Sequence, residues 1–257
     1  MSGTVRFVIL GTQRTGTTLV RTSLSSHPDI LCCGEAFSLG AKPYSNPDGY
    51  WWYSRQQLKR RVQAVLRPSS VVGGYLDYLY SSTGYSAIGF KLMLNQCVAR
   101  PYIWSLLLQR DVRAVLVRRV NILRTLVSRC SAKESGVYHV SQTLPVTSAV
   151  KDWVPQSVEI RTATLVKDLA AIDAEYSAWQ ARLRNSVEYI DVGYEDYVAD
   201  ADAGNRKILE FLRVRQQPLE SDLKKVNPGP LSDLISNYEQ VVMTLRDTRY
   251  AQYLEAP

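Results

Sequence analysis

Short apolar runs rich in β-branched residues alternate along this chain with longer stretches in which apolar positions recur every three or four residues. The first run, Val5, Phe7, Val8, Ile9 and Leu10, predicts a buried parallel strand, and residues 30–33, 87–93, 114–118 and 187–192 predict further strands. Residues 17–26 predict a helix that ends at His27-Pro28, residues 54–66 and 121–133 predict two more, and residues 205–212 another. A helix reaching Gln109 follows residue 93, with Pro101 tolerable only near a first turn. From Leu165 the spacing of Leu169, Ile172, Tyr176, Trp179 and Leu183 predicts a long amphipathic helix with Thr164 at its N-cap and the aromatics in the core. A C-terminal helix is expected around 231–245. Strands alternating with helices over the whole length predict an α/β fold, a central parallel sheet with helices on both faces. Residues 41–53 and 135–155 show no steady period and carry Pro and Gly, so they predict surface loops, the second a candidate lid.

Between the first strand and the first helix lies a glycine-marked turn. Gly11 and Gly16 have the spacing of a phosphate-binding loop, but Thr17, followed by Thr18, stands where a nucleotide triphosphatase places its lysine. Backbone N–H groups after Gly16, with the helix dipole, suit an anion of the phosphate type, and Arg14 is the nearest fixed cation. A second reading stays open, a plain strand-to-helix turn with Gly16 at positive φ and Thr17 as cap.

The 257 residues suffice for one large domain, 1–257, and a composition 46% hydrophobic and 21% charged is that of a globular protein. No apolar run approaches the roughly 18 residues that span a bilayer, and no signal-peptide pattern precedes the first strand, so a cytoplasmic protein without a membrane span is expected. A net charge of +7 suits anionic ligands without naming one. Arg55, Lys59, Arg60, Arg61 and Arg67 form the densest basic stripe, too confined to make nucleic acid the expected partner. Cys32, Cys33, Cys97 and Cys130 show no C-x-x-C spacing, and with two histidines in the chain neither a zinc site nor a disulfide framework is expected.

A second anion site is suggested by residues 115–129, where a strand delivers Arg119 to the sheet edge and a helix brings back Ser128. An arginine fork and a serine hydroxyl can together hold phosphate oxygens, although a solvated strand-end charge and a plain helical serine would read the same way. Two anion sites in sequence order suit a ligand that carries two separate phosphate-type groups.

Gln13 to Leu19, QRTGTTL, resembles the 5′-phosphosulfate loop of sulfotransferases that use 3′-phosphoadenosine 5′-phosphosulfate (PAPS), with Arg14 in the basic position. Arg119 through Ser128 resembles the 3′-phosphate motif of bacterial carbohydrate and Nod-factor sulfotransferases, with Val120 where an acidic residue is frequent. Gly34-Glu35, Gly89-Phe90-Lys91-Leu92-Met93, Tyr194-Glu195-Asp196 and the segment from Pro218 to Ile235 extend the likeness over nearly the whole chain. The resemblance implies a P-loop-like sulfotransferase fold, PAPS as sulfuryl donor with no required metal, and a small-molecule or carbohydrate acceptor. It places Arg14, Thr15, Gly16, Thr17 and Thr18 at the 5′ end of the donor and Arg119 and Ser128 at its 3′-phosphate.

It also makes Glu35 the first choice for general base, an assignment that would need burial beside Phe37 to raise a carboxylate from about 4.3. An ion pair of Glu35 with Arg14, or a helix-end contact, is the competing reading. His139, in the expected lid, is the second choice for base. Lys91 could meet sulfate or pair with a carboxylate, and Tyr194-Glu195-Asp196 reads as a structural turn. A P-loop kinase with a divergent loop, which would need Mg²⁺ and a carboxylate to hold it, and a non-catalytic nucleotide-binding module are the alternatives.

Overall fold

A computed structural model describes residues 3–38, 49–138, 140–141, 154–221, 223–224 and 227–254. The chain divides into two compact units, Met1–Arg118 with Ala181–Ser221, and Arg119–Gln180 with Asp222–Pro257.

The first unit is built on five parallel strands: β1 (Val5–Gly11), β2 (Ile30–Glu35), β3 (Ala87–Met93), β4 (Arg113–Arg118) and β5 (Tyr189–Gly193), in the order β2-β3-β1-β4-β5. They are the apolar runs read from the sequence. Every residue of β3 is buried, as befits a strand covered on both faces. Phe7 and Ile9 of β1 with Val115 and Val117 of β4 pack against Val20 and Leu24 of the helix Thr17–Ser25 and Ile208 and Leu209 of the helix Ala201–Phe211. On the opposite face Phe90 meets Tyr80 of the helix Pro68–Tyr80, whose hydroxyl donates to the Phe7 carbonyl (3.2 Å). Phe7 lies opposite Gly89, where a Cβ would stand 2.6 Å from its ring, so the glycine is what admits the aromatic. The chain leaves β1 toward β2 on one side and β4 toward β5 on the other. The carboxyl end of β1 is therefore a topological switch point, where ligands of open α/β sheets bind.

Three expected helices are each divided in two. The stretch after β3 breaks into Leu94–Ala99 and Tyr102–Leu108, because Arg100 precedes Pro101 and takes a non-helical conformation (φ −138°, ψ 79°). Residues expected as one helix over 54–66, after a loop, form Tyr50–Arg55 and Leu58–Leu66, separated at the extended Gln57. The C-terminal helix divides into Leu231–Leu234 and Tyr238–Leu245, because Ile235 is extended and bridges in parallel to Val158. The helix Pro68–Tyr80 was not anticipated. It buries Val71, Val72, Tyr75, Leu76 and Leu79 on one broad face and leaves Ser69, Ser70, Asp77 and Tyr78 exposed, and its Gly73-Gly74 pair, poor in helix propensity, masks that pattern in the sequence.

The second unit has its own core, in which Ile122, Leu123 and Val127 of the helix Ile122–Ser135 join Leu165, Leu169 and Ile172 of the helix Thr162–Arg184, with Leu231, Leu234, Ile235, Val241 and Leu245. The long helix starts before Thr164, whose hydroxyl instead donates to Asp168 one turn on (2.8 Å). A two-residue antiparallel pair joins Val140–Ser141 to Leu223–Lys224.

Candidate anion-binding site

At the carboxyl end of β1 the backbone folds back on itself closely. A Cβ on Gly11 would lie 2.5 Å from Thr17 Cγ2, 2.8 Å from Thr15 Oγ1 and 2.9 Å from the Val117 carbonyl, so only glycine closes this turn. Arg14 and Gly16 both take positive φ, 69° and 91°. Arg14 thus holds a conformation that costs a non-glycine residue about 1–3 kcal/mol and that clusters at ligand clamps. Left-handed residues of this kind turn successive N–H groups toward a concavity suited to anions. Thr15 is buried and its hydroxyl donates to the Thr12 carbonyl (2.9 Å), which leaves its backbone N–H as its donor to any ligand.

Gly16, not Thr17, is the N-cap of the helix Thr17–Ser25, and Thr17 is its first, buried residue. No side chain caps the helix and no acidic residue lies in its first turn, so nothing in its own sequence neutralises the positive end of the dipole. Tyr194 closes the far side. It opens the helix Tyr194–Ala199 directly after β5, and a Cβ on Gly16 would collide with its ring. The expected turn at 194–196 is thus the first turn of a helix, and Tyr194, expected only as part of that turn, packs its ring against the loop. A tyrosine immediately after a strand, on the ligand side of the sheet, was the available signal.

Glu35, Lys91 and Thr18 come together beside this loop. Lys91 Nζ is 2.9 Å from Glu35 Oε1 and donates to Thr18 Oγ1 (2.8 Å). The lysine side chain is 7% exposed and the glutamate 37%, so the cation is sunk among the strands while the carboxylate reaches solvent. Phe37 is buried, but Glu35 is not enclosed with it. A register shift between Cys33 and Glu35 sets the carboxylate opposite Lys91. Burial pushes the Lys91 ammonium below its ordinary 10.5, against the pull of Glu35, and the positive charges of Arg21 and Arg14 add to the lowering.

Arg119 and Ser128 lie in the second unit and both are buried. Arg119 Nη1 donates to the Arg124 carbonyl (3.3 Å). Asn121 caps the helix Ile122–Ser135 by accepting from the Arg124 N–H (3.0 Å), and the Arg124 guanidinium grips the Gly229 carbonyl with both Nη1 and Nη2 at 3.1 Å. Thr125, three residues before Ser128 and so on the same helix face, is 1% exposed, and its hydroxyl makes no hydrogen bond among the described residues. The Thr12 hydroxyl, at the entrance to the first loop, is buried in the same condition. His139 and most of the two expected loops, 41–48 and 142–153, lie outside the described residues.

Gly11, Gly16 and a five-stranded sheet of order β2-β3-β1-β4-β5 define a P-loop-like α/β protein, and the architecture matches that of solved sulfotransferases. The crystal structure of a sulfotransferase from Alicyclobacillus acidocaldarius matches with a TM-score of 0.50 at 15% identity, over 99% of this chain and 98% of that one. A sulfotransferase domain from the curacin biosynthetic pathway matches at 0.45 and 12% identity, each chain covered in full. Mouse sulfotransferase SULT7A1 complexed with PAP matches at 0.42 and 13% identity, over 84% of this chain and 61% of that one. No protein-family model matches the sequence, and no curated protein does. At 15% identity the likeness to the Alicyclobacillus structure shows the fold alone. Among the described residues no helix is long and apolar enough to cross a membrane.

Proposed function

We propose that this protein is a PAPS-dependent sulfotransferase that moves a sulfuryl group to a hydroxyl, or an amine, of a small-molecule or carbohydrate acceptor and releases adenosine 3′,5′-bisphosphate. The observation that carries the reading is the loop from Gly11 to Thr18, with its two left-handed residues and acid-free helix start, set beside the Lys91–Glu35 pair. The left-handed backbone at Arg14 and Gly16 and the uncapped helix start after them support a phosphate-type group held by backbone N–H groups. Thr17 in place of a lysine argues against a nucleoside triphosphate enzyme.

In this reading the N–H groups of Thr15 to Thr18 hold the 5′ end of the donor, and the guanidinium of Arg14 and the ammonium of Lys91 steady negative charge that grows on the departing oxygen. Glu35, exposed enough to meet an acceptor, takes the proton from its hydroxyl. Thr18 is held by Lys91, which ties the loop helix to the proposed base. Arg119 and Ser128 serve the 3′-phosphate, and the Thr125 hydroxyl is added as a third donor because a buried hydroxyl without a partner is costly unless something completes it. PAPS supplies the sulfuryl group, and no step proposed here passes through a metal. His139 remains the second candidate for base.

The test is calorimetric titration of adenosine 3′,5′-bisphosphate without metal, against ATP with Mg²⁺ in the same buffer. Metal-free binding of the bisphosphate with little response to ATP is expected, and Arg119→Ala should weaken it. The reverse preference would make the protein a nucleoside triphosphate enzyme, and bisphosphate binding without turnover on any acceptor would make it a non-catalytic nucleotide module.

A further inference from the structure

The helix Leu58–Leu66 has its apolar side turned to solvent. At 100° per residue Leu58, Val62, Val65 and Leu66 fall within one arc of the helix, flanked by Lys59 and Arg61, while Arg60 and Ala64 fall on the other side. An ordinary surface helix buries the first group. Here Leu58 is 76%, Val62 51%, Val65 81% and Leu66 73% exposed, and no residue of the helix is buried. The orientation is fixed from beneath, because the Arg60 guanidinium stacks 4.2 Å over the ring of Tyr53 in the preceding helix. In that same helix the Arg55 guanidinium lies 3.9 Å over Trp51.

Charge selects the occupant. From Gly49 to Leu76 there is no acidic residue, while Arg55, Lys59, Arg60, Arg61 and Arg67 are all basic. A second copy of this chain docked face to face would set cation against cation around the apolar arc. Exposed aliphatic residues edged by lysine and arginine, with two tryptophans in the neighbouring turn, match what a helix needs to lie in the interface of a bilayer whose headgroups are anionic. We propose that the helix Leu58–Leu66 is a peripheral membrane-binding element, which sinks Leu58, Val62, Val65 and Leu66 among the acyl chains while Lys59 and Arg61 meet anionic phospholipid headgroups.

The test is co-sedimentation of the full chain with liposomes of mixed phosphatidylserine and phosphatidylcholine, and with phosphatidylcholine alone, at about 0.1 M salt, where surface charges act over roughly 10 Å. The wild type is expected to pellet with the anionic liposomes and much less with the neutral ones. Lys59→Ala and Arg61→Ala should each lower the partition coefficient about fivefold, the effect of one cation at such a surface. Leu58→Ser combined with Val62→Ser, Val65→Ser and Leu66→Ser should abolish pelleting with an unchanged thermal melt. Val65→Ser alone, at the most exposed position, serves if the fourfold variant does not fold, and should reduce binding. Wild type left in the supernatant would overturn the proposal, as would equal binding to neutral liposomes or full binding by the serine variants. So would a wild-type dimer that ignores liposomes and becomes a monomer in the fourfold variant, which would assign the face to a second copy.

Discussion

Lys91 carries an ammonium group into a site where 7% of its side chain meets solvent, and it is held there by a carboxylate at 2.9 Å and a hydroxyl at 2.8 Å. Such a charge does not earn its place by stability, since burying it costs about what the pair returns. Lys91→Met, which keeps the volume and leaves Glu35 open to water, is therefore expected to change unfolding free energy by less than about 1.5 kcal/mol. If Lys91 steadies developing charge, the same variant should lose turnover by on the order of 10²-fold. Denaturant melts and a sulfation assay on one preparation separate the two, and a large stability loss with normal turnover would reduce Lys91 to a structural pair. Glu35→Gln is expected to bind adenosine 3′,5′-bisphosphate as the wild type does while turnover falls by about 10²–10⁴-fold. Retained turnover would move the base to another residue, with His139 next to be tested. Arg14 could be singled out beforehand because a cation beside a glycine turn is visible in one dimension, whereas Glu35 and Lys91 were picked out by the resemblance of their segments to sulfotransferases. That Lys91 faces Glu35 was not visible, because it depends on the register shift between Cys33 and Glu35.

The loop between β1 and its helix depends on two glycines for different reasons, Gly11 for closeness and Gly16 for both closeness and φ. Gly16→Ala would place a Cβ in the left-handed region, at about 1–2 kcal/mol, and against the Tyr194 ring as well. For a chain of this length a loss of 1 kcal/mol lowers Tm by about 2–4 °C, so a fall of several degrees is expected, with weakened bisphosphate binding. Adding Tyr194→Ala should relieve the collision and not the backbone strain, so the double variant should lose less than the sum of the two single ones. Simple additivity in the melting curves would mean that the ring does not press on the loop. The three inner strands β1, β3 and β4 could be read from apolar runs alone, because strands covered on both faces need no partner to declare them, whereas the edge strands β2 and β5 are only partly buried. Helices were harder. Their breaks at Arg100-Pro101, Gln57 and Ile235 come from a proline's neighbour, a local turn and a bridge to Val158, and the last is a contact between residues far apart in sequence. The helix Pro68–Tyr80 was hidden by its Gly73-Gly74 pair, two weak helix formers in succession.

Across the molecule, acid groups held neutral by burial set how the fold responds to alkali. Burial pushes the Cys97 thiol from 9.0 up to about 12, against the attraction of Arg182, and it raises Cys32, Tyr80 and Tyr197 as well. Above the ordinary value of each group the unfolded chain releases a proton that the folded chain keeps. The unfolded state then binds fewer protons, so stability falls as pH rises, by up to roughly 1.4 kcal/mol per pH unit for each group inside its window. For Cys97 that window runs from about 9 to about 12. Lys91 has the opposite sign, because its lowered value leaves the unfolded chain holding the extra proton up to 10.5, and one such group offsets only part of the loss. Urea unfolding midpoints are expected to hold near pH 8 and to fall steadily above pH 9. Cys97→Ala isolates one contribution: whatever advantage the wild type holds over this variant at pH 8 should shrink between pH 9 and 11, because the alanine has no proton to retain. A wild-type advantage that stays constant over that range would mean that the Cys97 thiolate is tolerated in the fold, and that the site is less sealed from water than its 3% exposure indicates.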